Sequence, residues 1–207
     1  MSRSRTSVLL ATTNRGKLSE LRALFKDLPL ELFSLSEVLP NMPQVVEDGA
    51  TFAENALIKA RAAARLARIA TIAEDSGIEV DSLGGRPGVR SARFAKEGAT
   101  DAENNDMLLR ALAHVPDRDR RARFRCVMAF IDPSSERDPI VVEGRCEGSI
   151  ARTARGEGGF GYDPLFIVQG YERTMAELDA SEKNQVSHRA AAVRAMHAAL
   201  KALLEKP

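Results

Sequence analysis

The chain has 207 residues, 44% hydrophobic and 29% charged, the balance of an ordinary soluble globular protein with enough length for a sizeable core. A formal net charge of +1 and only ten aromatic residues provide no bulk field and few stacking platforms, so no nucleic-acid partner is expected. The apolar runs fall far short of the roughly 18 residues of a membrane span, and two cysteines, Cys126 and Cys146, make no disulfide framework.

The opening MSRSRTS is basic but leads into only VLLA, too short for a secretory signal, so cytoplasm is the expected compartment. SVLLAT (7–12) reads as a buried strand, and TNRG as the turn after it. GKLSELRALFKDL then places Leu18, Leu21, Leu24, Phe25 and Leu28 at helical spacing. ELFSLSEVLP (31–40) reads as a second strand with a following turn. Thr51 and Glu54, three apart, form a capping-box signature before a long alanine-rich helix, on which Asn55 and Lys59 share one face. TIAED reads as a strand ending in two carboxylates, GIEVDSL as another strand, and GGRPG as a turn cluster. TDAENNDMLLRALAHV (100–115) repeats the Thr–x–x–Glu opening and reads as a third helix. RARFRCVMAFID and PIVVEGRCEGSIA read as two strands of a hairpin, which would bring Cys126 and Cys146 roughly opposite as small buried thiols. GEGGFGYDPLF is a glycine-rich loop into a short apolar segment. SHRAAAVRAMHAALKALLEK closes the chain as a helix, with Ser187 as N-cap and Val193, Met196, Leu200 and Leu203 as its apolar stripe. Alternating strands and helices with a hairpin predict an α/β fold with a mixed sheet.

Four polar clusters fall at element boundaries, where loops present function on a scaffold. In TTNRGK, Thr12, Thr13 and Asn14 are small donors, Gly16 allows close approach, and Lys17 at a helix start opposes the dipole unless an anion compensates it. No Walker A pattern is present. Glu47-Asp48 and Glu74-Asp75-Ser76 crowd carboxylates; such groups raise one another's pKa unless a cation intervenes. A hard divalent ion would resolve the conflict, and a carboxylate beside a metal-side water can act as general base. Solvated loop carboxylates are the ordinary alternative for Glu47 and Asp48. In GGFGYDP an aromatic between glycines can offer a ring face, and Asp163 can accept hydrogen bonds; a tight turn with a core aromatic would read the same. In EKNQVSHR, Lys183 precedes a helix whose first residues are His188 and Arg189; a cationic Arg189 there is unfavourable to the dipole unless it and His188 donate to a ligand, and a solvated helix start would read the same.

Taken together, LLATTNRGKLSELR, EDGATFAENALIKARAAA, AEDSGIEVDSLGGRPGVRSARFA, TDAENNDMLL, GGFGYDPLF, MAEL and EKNQVSHR resemble, in order and over nearly the whole chain, the inosine-triphosphate pyrophosphatase family. The resemblance implies one nucleoside-triphosphate pyrophosphatase domain over 1–207, two-lobed, with a mixed sheet flanked by helices and an active cleft between the lobes. It implies Mg²⁺-dependent hydrolysis of non-standard purine nucleoside triphosphates (ITP, dITP, XTP) to monophosphate and pyrophosphate, in a cytoplasmic homodimer. Thr12, Thr13, Asn14, Arg15, Gly16 and Lys17 would cradle the phosphates, with Lys59 joining them. Asp75 would be the proton acceptor and Ser76 a substrate contact. Glu47, Asp75 and Glu74 would be the metal-side carboxylates. Phe160, Gly161, Tyr162, Asp163, Lys183, His188 and Arg189 would form the nucleotide and base pocket. The rivals are a septum-inhibitor-type pyrophosphatase with other base preference, against which the SHR and FGYD stretches weigh, and a nucleotide-binding regulator that does not hydrolyse. Carboxylates 47, 74 and 75 weigh against the regulator, because a polyphosphate binder gains nothing from nearby anions unless a metal is present.

Overall fold

The computed structural model of the chain describes residues 6–204. The basic lead, 1–5, and the side chain of Leu203 lie outside the described residues. Six strands form one mixed sheet: β1 (Thr6–Leu10), β2 (Leu30–Ser34), β3 (Ala70–Val80), β4 (Arg121–Ile131), β5 (Ile140–Ile150) and β6 (Phe166–Val168), in the order β2-β1-β3-β4-β5-β6. β1 runs parallel to both β2 and β3, and β5 antiparallel to β6. The helices are α1 (Arg15–Leu24), α2 (Leu35–Val38), α3 (Phe52–Ala67), α4 (Asp101–Ala111), α5 (Ala180–Val186) and α6 (His188–Leu204). The α/β class and the mixed sheet read from the sequence hold.

The chain divides into two compact units: Met1–Asp75 with Cys126–Gly144 and Ala192–Pro207, and Ser76–Arg125 with Arg145–Ala191. The first unit has its own core, in which Val8 and Leu10 of β1, Leu21 and Phe25 near α1, Ile72 of β3, Met128 of β4 and Val193, Met196 and Leu200 of α6 pack together. In the second, Ile78 and Val80, Leu108 and Leu112, Phe124, Ile150, Tyr162, Leu165 and Phe166 form a separate core. There Arg120, buried, donates to the carbonyls of Leu112, Ile150 and Ala151 at 2.7–2.9 Å, tying the end of α4 to the end of β5.

Two local readings change. TIAED and GIEVDSL are one eleven-residue strand, so the two carboxylates stand in its middle rather than at its mouth. Gly77 is no turn there; a Cβ on it would run into Ser91, so glycine lets the 88–93 segment approach. The segment after β2 is α2, held by a Ser34–Glu37 capping box whose S–x–x–E spacing is in the sequence. Lys183 precedes the helix that opens on His188 and Arg189, as expected, and itself lies in a short helix of its own, α5, capped by Asp179 and Glu182. Cys126 and Cys146 are both buried thiols outside any disulfide, as expected, and they lie in different cores, since β4 passes between units at Arg125–Cys126 and β5 at Gly144–Arg145.

Candidate active site

In the first unit, β1 ends and the chain turns into α1. Thr12 Oγ1 accepts from the amide of Asn14 (3.2 Å), and Asn14 Oδ1 caps α1 by accepting from the amide of Lys17 (3.0 Å). Thr13, Asn14 and Arg15 are exposed, Gly16 and Lys17 half-buried, and the first turn of α1 carries no acidic residue. That is a helix N-terminus with small donors and a lysine, suited to an anion.

Strand alternation sends Glu74 and Asp75 to opposite faces of β3. Glu74, buried, takes the ammonium of Lys17 at 3.2 Å on one oxygen and the thiol of Cys126 at 3.1 Å on the other. Asp75, also buried, faces α3: Asn55 Nδ2 donates to Oδ2 at 3.1 Å and Lys59 Nζ to Oδ1 at 3.4 Å. Lys59 also holds Glu47 at 2.5 Å, so two carboxylates converge on one ammonium. The i, i+4 pairing of Asn55 with Lys59, legible in the sequence, thus has a shared target in Asp75. Asn55 does a second job, accepting from the amide of Gly49 (2.8 Å) and so tying the Glu47 loop to Asp75. Asp48 is exposed.

The donor set fits Mg²⁺. Among the described residues no group of three or more His, Cys, Asp or Glu side chains gathers into a metal site. Mg²⁺ does not require one: it is held by one or two carboxylates, with phosphate oxygens and water completing its shell. Glu47 and Asp75 supply such a pair of hard oxygens around an existing cation position. The charge conflict expected between Glu74 and Asp75 is relieved by geometry and by a separate lysine for each.

In the second unit, Asp163 Oδ2 accepts from the amide of Phe160 (3.0 Å) and from Lys183 Nζ (2.6 Å). The ring of Phe160 carries two cations, Lys183 Nζ at 4.9 Å and the Arg189 guanidinium at 5.6 Å from its centroid. Arg189, 1% exposed, also donates to Ser76 Oγ at 3.3 Å. His188 stacks on Phe124, rings 4.7 Å apart and 13° from parallel. These residues therefore converge: Ser76, Phe160, Asp163, Lys183 and Arg189 share contacts. Tyr162 differs. Its ring lies in the core, its hydroxyl donates to the Ser91 carbonyl at 2.8 Å, and burial, with nearby Asp101 adding, pushes that hydroxyl above its usual range. Its backbone, rather than its ring, is what it offers a ligand.

The model of the Ham1 family matches residues 8–199. The chain belongs to the Ham1 family. This Ham1 chain is 52% identical over 186 residues to a dITP/XTP pyrophosphatase of Geobacillus kaustophilus, covering 90% of each, and 45% identical to that of Salmonella typhimurium, covering 94% of this chain and 98% of the relative. Among solved structures, a HAM1 protein from Coxiella burnetii superposes with a TM-score of 0.85 at 42% identity, covering 95% and 98% of the two chains. The Staphylococcus aureus Ham1 protein superposes at 0.84 and 39% identity. No helix among the described residues of this Ham1 chain is long and apolar enough to cross a membrane.

Proposed function

We propose that this protein hydrolyses ITP, dITP and XTP to the nucleoside monophosphate and pyrophosphate, acting as one domain on purine nucleoside triphosphates in a cytoplasmic homodimer. The observation that carries the reading is Asp75, a buried carboxylate fixed from two sides by Asn55 and Lys59 and followed at once in β3 by Ser76, which Arg189 holds. Membership of a family whose relatives carry the dITP/XTP name supports the same chemistry.

In this reading half-buried Thr12, exposed Thr13, Asn14 and Arg15, the start of α1 and Lys17 receive the phosphates, with Lys59. Asp75 takes the proton of the water that attacks the α-phosphorus; its two hydrogen bonds fix where its oxygens point. Glu47 and Asp75 would hold Mg²⁺, which when bound would supply charge neutralisation for the phosphates. Glu74, a third metal-side candidate in the sequence, is better placed to orient Lys17. The base rests against Phe160, with Gly161 and Tyr162 contributing backbone and Asp163 ordering Lys183. Donors of His188 or Arg189 meet a 6-oxo group, whereas the 6-amino group of adenine would face them with another donor. A site built on hydrogen bonds rejects that mismatch by roughly 10⁴-fold.

Incubation with ITP, dITP, XTP, ATP and GTP, with and without Mg²⁺, tests the proposal by its products. Pyrophosphate released from the first three, and lost with chelator, is the expected result. Orthophosphate release, or equal turnover of ATP, would sink it, the latter in favour of a pyrophosphatase with other base preference.

A further inference from the structure

The loop 158–161 is three-quarters glycine, and Gly159 and Gly161 both have positive φ, 75° and 62°. Such a segment has many backbone states and no side chains of its own to choose among them. Yet it must hold the Phe160 ring under Lys183 and Arg189. From inside, Asp163 fixes one end through the Phe160 amide. From outside, two residues of α4 grip the peptide groups of Gly161: its N–H donates to Asp101 Oδ2 at 2.7 Å and its carbonyl accepts from Asn105 Nδ2 at 3.0 Å. Asp101 and Asn105 are four apart and so share one face of α4. The neighbouring Asn104 serves another segment, donating to Ala92 and accepting from Ala95.

We infer that Asp101 and Asn105 are positioning residues that hold the Phe160 loop in its base-receiving form and thereby set base selectivity, an inference that rests on the function proposed above. Neither belongs to the groups assigned to substrate. Without them the glycine loop must be ordered when nucleotide binds, and that ordering cost falls on binding rather than on the chemical step. It also leaves Phe160 free to settle against a base that the clamped loop would refuse.

The test compares Asp101→Ala, Asn105→Ala and Asp101→Asn, whose amide oxygen can still accept from Gly161. Amide hydrogen exchange at Gly161 without nucleotide reads the clamp directly, and dITP kinetics with the ITP-to-ATP preference read its consequence. Each alanine variant should exchange at Gly161 about tenfold faster and raise KM for dITP about tenfold, the worth of one hydrogen bond to a charged or buried group. Turnover at saturation should stay within about twofold, since the chemical step is untouched. The preference for ITP over ATP should fall, and Asp101→Asn should restore most of it. Faster exchange with unchanged KM and unchanged preference overturns the inference, as does unchanged exchange. Should Asp101→Ala not fold, Asn105→Ala decides alone. Failure of the unaltered protein to cleave dITP is a separate outcome that sinks the proposed function, and the exchange measurement still decides the clamp.

Discussion

In the unit that holds β1 and β2, Glu47 and Asp75 gather around one lysine whose partners remain partly open, Glu47 with 34% of its side chain exposed and Lys59 with 16%. In the other unit one aspartate, Asp163, gathers a lysine and a backbone amide beneath an aromatic ring, and the pair is 4% and 9% exposed. The first arrangement is partly open, which suits the hydrated cation and flexible phosphate chain of the proposed function. The second is closed upon itself before any ligand arrives, which suits discrimination between rigid rings. Under the proposed function, chemistry falls where charge is adjustable and selection where it is not.

The largest expected effect separates these roles. Asp75→Asn keeps the shape and its amide oxygen can still accept from Asn55 or from Lys59, though not from both, and it cannot take a proton. We expect kcat to fall by about 10²–10⁴-fold with nucleotide binding retained. A variant of full activity would move the base elsewhere and dissolve the contrast. The next effect is on stability. Asp163→Ala leaves Lys183 buried without its carboxylate and frees the Phe160 amide, at a cost of about 3–5 kcal/mol. The two thiols report on which unit suffers: Cys146 lies in the second core and Cys126 in the first. Burial, with Glu147 and Asp163 adding, holds the Cys146 thiol up at about 12, so it reacts only when its unit opens. Iodoacetamide should label Cys146 well ahead of Cys126 in Asp163→Ala. Equal labelling would mean that the two cores open together.

Much of this arrangement is visible in the residues alone. The strands and long helices announce themselves by period, and Thr51 and Thr100 by their capping boxes, each formed as spaced. Asn55 and Lys59 could be placed on one face before their target was known. What could not be read was direction: Glu74 and Asp75 look like a pair, and only the unbroken course of β3 through Ser76 and Gly77 shows that they diverge. Sequence offers a serine and a glycine there, the usual marks of a turn; the close approach of Ser91 makes them strand residues instead. Partners brought in from distant segments were likewise invisible. Cys126 against Glu74 and Asp101 against Gly161 depend on which strand or helix comes alongside, which no local pattern encodes.

The smallest effect concerns the helix that grips the Phe160 loop. At the start of α4, Glu103 accepts from Lys96 at 2.6 Å and from the Thr100 amide, and these, Lys96 first, hold its carboxyl down at about 2 against 4.5 when free. A carboxyl depressed in the folded state stabilises above its unfolded value, so the contribution is whole above pH 4.5 and disappears as pH falls towards 2. Glu103 is well exposed, so solvent and salt screen the benefit and the global unfolding midpoint should move little. Its local consequence is easier to see. As acid removes the charge, the first turn of α4, which carries Asp101, should fray, and exchange at Gly161 should quicken before exchange at Asp75 or its neighbours in β3. Carbon-detected titration of Glu103 should give a midpoint near 2, rising with added salt, and Glu103→Gln should remove its share of the acid dependence at Gly161. A midpoint near 4.5 would mean that Lys96 and Thr100 hold the carboxylate too loosely to matter, and that the rigidity of the unit holding Phe160 owes nothing to this cap.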